Sequence, residues 1–176
     1  CFALSRLRNY NDVFTGKIAG NSILYPSGSF DMINKIEETI PETSFTSVYL
    51  DVMVKAIDEI TKDSKEKIKI LEIGSGNGKL TWPLMDILKD RNIEYYFTDI
   101  GRSFVTQGKE AAKEKGINNM KFRAFDVQKD FEESGFSENE FDLIIGFDVI
   151  QATRDISFTI KNLKEMLKPL GKIMMV

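Results

Sequence analysis

The sequence contains no histidine and a single cysteine, Cys1, among its 176 residues. The first absence removes a Ser–His–Asp triad, an imidazole general base and a histidine metal site from this chain. The second removes an internal disulfide and a cysteine-clustered metal site, so no metal is expected and a reducing, cytoplasmic setting is. Long apolar runs are missing too. Nothing approaches the roughly 20 residues of a membrane span, and no secretory signal is visible. Charge of one sign does not accumulate either. The net charge of −3 gives no reason to expect a nucleic acid or a membrane surface as partner. What is present is a 42% hydrophobic content, enough for one globular domain with a core. The chain begins at Cys1 rather than Met and ends in the strand-like "GKIMMV", so a larger parent protein is expected.

From residue 67 onward, short apolar strands alternate with helical patterns. "KIKILEIG" (67–74), "EYYFTDI" (94–100), "MKFRAFDV" (120–127) and "FDLIIGFDVI" (141–150) read as strands, and "GKIMMV" starts a fifth. Between them, "LTWPLMDILKDR" (80–91) has helical spacing, with Pro83 tolerated in the first turn. "RSFVTQGKEAAKEKG" (102–116) is helical and stops at Gly116. "TRDISFTIKNLKEMLKP" (153–169) sets Ile156, Ile160, Leu163 and Leu167 on one face, and Pro169–Gly171 closes it. Such alternation predicts an α/β fold: a doubly wound, mainly parallel sheet with helices on both faces and the first strand central. Residues 1–66 differ. "YPSGSF" (25–30) is loop-like, Ser29 caps a short helix over 30–40, and Val48, Val52, Ala56 and Ile60 recur every four residues in a helix over 45–62. The expectation is an N-terminal helical cap (1–66) beside a core (67–176).

"LEIGSGNGKL" (71–80) places glycines at 74, 76 and 78 directly after the first strand. One glycine usually satisfies a tight turn, so three suggest a turn that also lies against a ligand. In a doubly wound sheet that ligand sits beyond the carboxyl ends of the strands. A dinucleotide grip needs G-x-G-x-x-G; here Lys79 occupies the place of the third glycine. Asp99 ends the second strand about 20 residues on, the distance at which an acid accepts ribose hydroxyls. Otherwise it is a solvated loop acid or a helix cap. Asp126 ends the third strand and is either an acceptor for an adenine amino group or a cap. Together these point to an adenosine site without a pyrophosphate grip.

"ILEIGSGNGKL", "YYFTDI", "FRAFDV" and "FDLIIGFDVIQATRDISFTIKNLKEMLKPLGKIMMV" resemble successive motifs of the class I S-adenosylmethionine-dependent methyltransferases, which have a Rossmann-like fold. The "AT-x-D" step, the following "T-x-x-N-x-x-x-x-LKP-x-G" and the upstream "YNDVFTGKIAGNSILYPSGSF" resemble the methyltransferase domains embedded in polyketide synthases and hybrid peptide–polyketide synthetases. The resemblance implies S-adenosyl-L-methionine as cofactor, an acyl carrier protein bearing the acceptor, and neighbouring synthase domains. It implies that Glu72, Gly74, Ser75, Gly76 and Gly78 line the loop under the methionine part. Asp99 with Ile100 would hold the ribose, and Asp126 with Val127 would flank the adenine. Phe147 and Asp148 would face the sulfonium and the acceptor, with Tyr25 reaching the acceptor cavity from the cap. Trp82 reads as packing.

One departure bears on catalysis. Synthase C-methyltransferases usually read "H-A-T" where this chain reads Gln151-Ala152-Thr153. An amide donates and accepts hydrogen bonds but takes up no proton near neutral pH, and a general base typically contributes ~10²–10⁴-fold. Gln151, Asp148 and Tyr25 are the catalytic candidates. Three readings follow: C-methylation at the α-carbon of a carrier-bound β-ketoacyl chain, O-methylation of a hydroxyl or enol on such a chain, and a domain that binds cofactor without catalysis. A nicotinamide-dependent dehydrogenase is opposed by the loop spacing.

Overall fold

The computed structural model describes residues 11–24 and 45–176. The loop reading of 25–30, the helix over 30–40 and Tyr25 lie outside the described residues. The chain divides into two compact units, Cys1–Ser44 and Phe45–Val176. Within the first, residues 11–14 are helical and α1 spans Gly20–Leu24.

The second unit opens with α2 (Phe45–Thr61). It continues β1 (Ile68–Ile73), α3 (Thr81–Leu88), β2 (Ile93–Asp99), α4 (Arg102–Glu114), β3 (Met120–Ala124), β4 (Phe141–Gly146), α5 (Ile156–Met166) and β5 (Leu167–Met175). Five strands form one sheet in the order β3-β2-β1-β4-β5. Every pairing is parallel and β1 is central, as the alternation predicted. Strand order reverses between β1 and β4, so the loops leaving β1, β2, β3 and β4 gather at one end of the sheet, around the switch point.

The three inner strands β1, β2 and β4 are buried on both faces and largely apolar, while β3 at the edge alternates. Successive residues point to opposite faces. Ile70, Tyr95, Leu143 and Ile145 pack with Leu84, Leu88, Met53 and Ile57 from the helices on one side. Leu71, Ile73, Tyr96 and Ile144 pack with Phe125, Phe131, Phe136, Leu163 and Met166 on the other. Among the described residues no helix is long and apolar enough to cross a membrane.

Three expectations need correction. In α2 the row Val48–Val52–Ile60 is exposed, with Val52 58% accessible, and the buried row is Met53, Ile57 and Thr61. A polar tether sets the rotation. Arg91 donates to the Thr61 hydroxyl at 2.8 Å and pairs with Asp58, fixing that side of the helix against the end of α3. In α5 the inward face is Thr159, Asn162, Leu163 and Met166, while Ile156 is half-exposed. Asn162 donates to the Lys129 carbonyl at 2.7 Å, and Asp155 caps the helix by accepting from the Phe158 N–H at 2.9 Å. Those two bonds, rather than the isoleucines, orient it. Finally, β5 starts at Leu167 instead of Gly171. Pairing begins at Phe141↔Leu167 and resumes at Leu143↔Lys172, so two steps along β4 match five along β5. The surplus bulges outward around Pro169, which has no N–H for the ladder. Leu170 sits there in the left-handed region and is 95% exposed.

Candidate functional site

The three glycines of the loop after β1 share a backbone conformation but not a surrounding. Gly74, Gly76 and Gly78 all take left-handed φ values, +60°, +54° and +84°. A Cβ on Gly74 would lie 2.4 Å from the Val149 side chain, which crosses from the loop after β4. A Cβ on Gly78 would lie 2.2 Å from the Trp82 indole. Trp82 is therefore a brace: its Nε1 donates to the Asn77 carbonyl at 3.0 Å and its ring stacks on Phe97. Gly76 is different, because a Cβ there would meet only the Gly74 carbonyl, at 4.0 Å. Protein crowds two of the glycines, and the third faces open space.

Backbone and side-chain bonds hold this loop against β2. Ser75, buried, donates its N–H to the Thr98 carbonyl at 2.9 Å, and its hydroxyl accepts from the Thr98 N–H at 3.2 Å. Asp99 Oδ2 accepts from the Gly76 N–H at 3.0 Å, and Oδ1 accepts from the Gly101 N–H at 2.7 Å. Burial pushes the Asp99 carboxyl above its usual range, and the two N–H donors pull it back in part. A carboxylate has about four lone-pair sites. The Asp99 oxygens thus keep capacity for two hydroxyl donors beside the open face of Gly76.

Glu72 points beneath the loop, 2% exposed. Its Oε2 accepts from the Thr81 hydroxyl at 2.5 Å and from the Tyr95 hydroxyl at 2.8 Å. Burial raises its pKa against the pull of those donors. It supports the loop from below instead of lining it.

Farther along the same end, Ile100 is 65% exposed beside Asp99. Asp126, half-buried, follows β3, and its Oδ1 accepts from the Gln128 N–H at 3.1 Å in a tight local turn. Ile100, Asp126, Gln128, Lys129, Arg154, Asp155 and Phe158 line an open groove of about 590 Å³. Val127 turns its side chain into the second core cluster, and Phe147 packs against the first. After β4, Asp148 adopts a left-handed φ of 58°, and Gln151 donates its amide N–H to Asp148 Oδ1. Both side chains are exposed. The fold thus gathers all the candidates in the described residues at one end of the sheet. Sequence reasoning missed Val149, which shapes Gly74, and Gln128, whose Oε1 accepts from the Arg154 N–H at 2.8 Å and links the loops after β3 and β4. No local pattern marks either one; only the strand order brings them there.

The residues present fit an adenosine-type ligand. The backbone is open at Gly76, a buried acid with spare acceptor capacity stands behind it, and an apolar and polar groove continues toward β3.

A family profile described as "Methyltransferase domain" matches residues 64–176. Polyketide synthase PksM of Bacillus subtilis (strain 168) is 29% identical over 98% of this chain, and the chain spans 4% of that protein's length. Among solved structures, the DszA carbon methyltransferase superposes with a TM-score of 0.79 at 26% identity, over 98% of this chain and 45% of that one. The trans-methyltransferase CalH, solved in complex with SAH, superposes with a TM-score of 0.69 at 24% identity, over 98% of this chain and 46% of that one.

Proposed function

The chain belongs to the methyltransferase domain family, and on that premise we propose that it is the S-adenosylmethionine-dependent C-methyltransferase domain of a polyketide synthase. Its acceptor is the α-carbon of a β-ketoacyl chain carried by an acyl carrier protein, delivered among neighbouring synthase domains. The observation that carries the reading is the open face of Gly76 backed by the Asp99 carboxylate at the end of β1 and β2. Similarity to a polyketide synthase along nearly the whole chain supports the acceptor class.

When bound, S-adenosylmethionine supplies an electrophilic methyl group on a positively charged sulfur. The chain's residues have binding and alignment to do. Asp99 accepts the ribose hydroxyls, Ile100 and Asp126 bound the adenine end, and the left-handed glycines let the backbone approach the methionine end. Phe147, Asp148 and Gln151 lie on the acceptor side of the switch point. Proximity and alignment supply much of the acceleration in an in-line displacement.

Gln151 favours a second reading, O-methylation of a hydroxyl or enol, because an amide orients an O–H but takes no proton from carbon. Intact-mass measurement of carrier protein loaded with a β-ketoacyl or a β-hydroxyacyl chain, each incubated with the protein and S-adenosylmethionine, separates the two. C-methylation predicts the mass of one methyl group on the β-ketoacyl chain, stable to mild acid. Gain on the hydroxyacyl chain alone supports the second reading. No gain on either, with cofactor still bound, supports a binding domain without catalysis.

A further inference from the structure

Building on the C-methyltransferase reading, we infer that the Asp148–Gln151 pair selects the enol tautomer of the acceptor, with Asp148 as the positioning residue of Gln151. Just past β4 the chain is still paired with β5: the Val176 N–H donates to the Gly146 carbonyl at 3.2 Å, and the Asp148 N–H donates to the Val176 carbonyl at 2.7 Å. Asp148 then takes its left-handed φ, an uncommon conformation for a residue with a side chain. The backbone leaves the sheet into a single 3-10 turn, Ile150–Ala152, which carries Gln151 back over the Asp148 carboxylate.

The chemistry of that contact fixes the amide. A carboxylate only accepts, so Gln151 must turn Nε2 toward Asp148 and its carbonyl Oε1 away. The pair then offers an incoming ligand two acceptors, Gln151 Oε1 and the second Asp148 oxygen, and one donor, the remaining Nε2–H. A β-ketoacyl thioester in its keto form brings only acceptor oxygens and uses the donor alone. Its enol brings an O–H for Oε1 and a carbonyl for Nε2–H, and matches both. In the enol the α-proton has already moved to oxygen, so the α-carbon is a nucleophile without a base acting on carbon. The α-carbon then bonds to the methyl group, and the methyl–sulfur bond breaks with its electron pair going to sulfur. The enol O–H electrons re-form the ketone, and the proton leaves to water, to which both side chains are open. An acceptor present mainly as keto is bound more weakly in proportion to its enol fraction. The substrate class is therefore an acyl chain whose 1,3-dicarbonyl unit enolises readily, such as one bearing a further acyl group.

Binding tests this without turnover. In the presence of S-adenosylhomocysteine, the protein is titrated with two pantetheine thioesters. One is a 2-acyl-β-ketoacyl thioester, which enolises readily at its α-carbon; the other is an α,α-dimethyl-β-ketoacyl thioester, which has no α-proton and cannot. The enol probe should bind at least tenfold tighter. Gln151→Ala and Asp148→Ala should abolish that preference. Asp148→Asn should retain most of it, since its carbonyl oxygen still accepts from Gln151. The Gln151 side-chain amide resonances should shift when the enol probe binds. Equal binding of the two probes, no binding of either, or a preference that survives Asp148→Ala overturns the inference. If S-adenosylhomocysteine itself fails to bind, the methyltransferase reading falls with it; if it binds normally, only the tautomer selection is lost.

Discussion

The two ends of the sheet treat carboxylates in opposite ways. At the end where the strands begin, Glu94, Glu140 and Asp142 each have a lysine. Glu94 accepts from Lys67 at 2.7 Å, Lys121 at 2.9 Å and the Tyr96 hydroxyl at 2.7 Å. Lys69 reaches Glu140 at 3.3 Å, and Lys168 holds Asp142 at 2.7 Å. Lys67 first, then Tyr96 and Lys121, pull the Glu94 carboxyl down to about 2. At the end where the strands finish, Glu72 and Asp99 are buried, are held only by hydroxyls and backbone N–H groups, and are pushed upward. The difference separates stability from function. Ion pairs close one end on itself. At the other end Asp99 keeps acceptor capacity beside the open face of Gly76, while Glu72 braces the loop from below.

Substitution in the glycine loop should have the largest effect. Gly78→Ala adds a left-handed penalty of about 1–2 kcal/mol to overpacking against Trp82 of about 1–3 kcal/mol. Thermal unfolding should fall by the sum, and emission from the single tryptophan should shift. Gly76→Ala meets no neighbour and should cost only the backbone part while still weakening S-adenosylhomocysteine binding. Equal destabilisation by the two substitutions would remove the distinction between a crowded and an open glycine.

Glu72→Ala comes next. It strands the Thr81 and Tyr95 hydroxyls in the interior, and an unsatisfied buried donor costs about 1–3 kcal/mol. Lys67→Ala at the opposite end breaks an exposed pair and should cost less than about 1 kcal/mol. Denaturant unfolding of both variants checks the order; a larger loss for Lys67→Ala would reverse the comparison.

The smallest effect is the pH dependence, and its sign differs between the ends. Glu94 has a folded pKa of about 2 against an ordinary 4.5, so its contribution is full above 4.5 and is lost as pH falls toward 2. Glu94→Gln should flatten stability in that window. Glu72 is raised above 4.5, so its contribution is full below 4.5 and is lost as pH rises through its folded pKa. Glu72→Gln should flatten the curve on that side. Stability measured across pH 2–8 reads both slopes; slopes of the same sign would show that the two acids do not differ as described.

The parallel sheet, its central β1 and a glycine-rich turn after it were legible in the sequence, because buried strands such as β1 and β4 read as largely apolar runs and because glycines at alternate positions stand out. The helix faces were not. Periodicity chose Val48–Val52 and Ile156–Ile160, while Arg91 on Thr61 and Asn162 on the Lys129 carbonyl chose their neighbours, and bonds across some 30 residues leave no local pattern. The start of β5 was hidden because Pro169 marks a break in most contexts and here falls in a bulge. The ladder from Lys67 through Glu94 to Lys121 depends on strand register, which spacing alone does not give. Within the site, the sequence placed the acids at the ends of β2 and β3 but not the inward turn of Glu72 and Val127, which depends on what packs beneath the loops.

The most direct test of the account is calorimetric titration of S-adenosylhomocysteine into the wild type, Asp99→Ala and Glu94→Gln. Hydrogen bonds to a charged group contribute about 1.5–3 kcal/mol each. Loss of the acceptors proposed for the ribose in Asp99→Ala should therefore weaken binding at least tenfold, while Glu94→Gln at the far end should bind like the wild type. Unchanged affinity in Asp99→Ala, or tighter binding of NAD than of S-adenosylhomocysteine by the wild type, would contradict it.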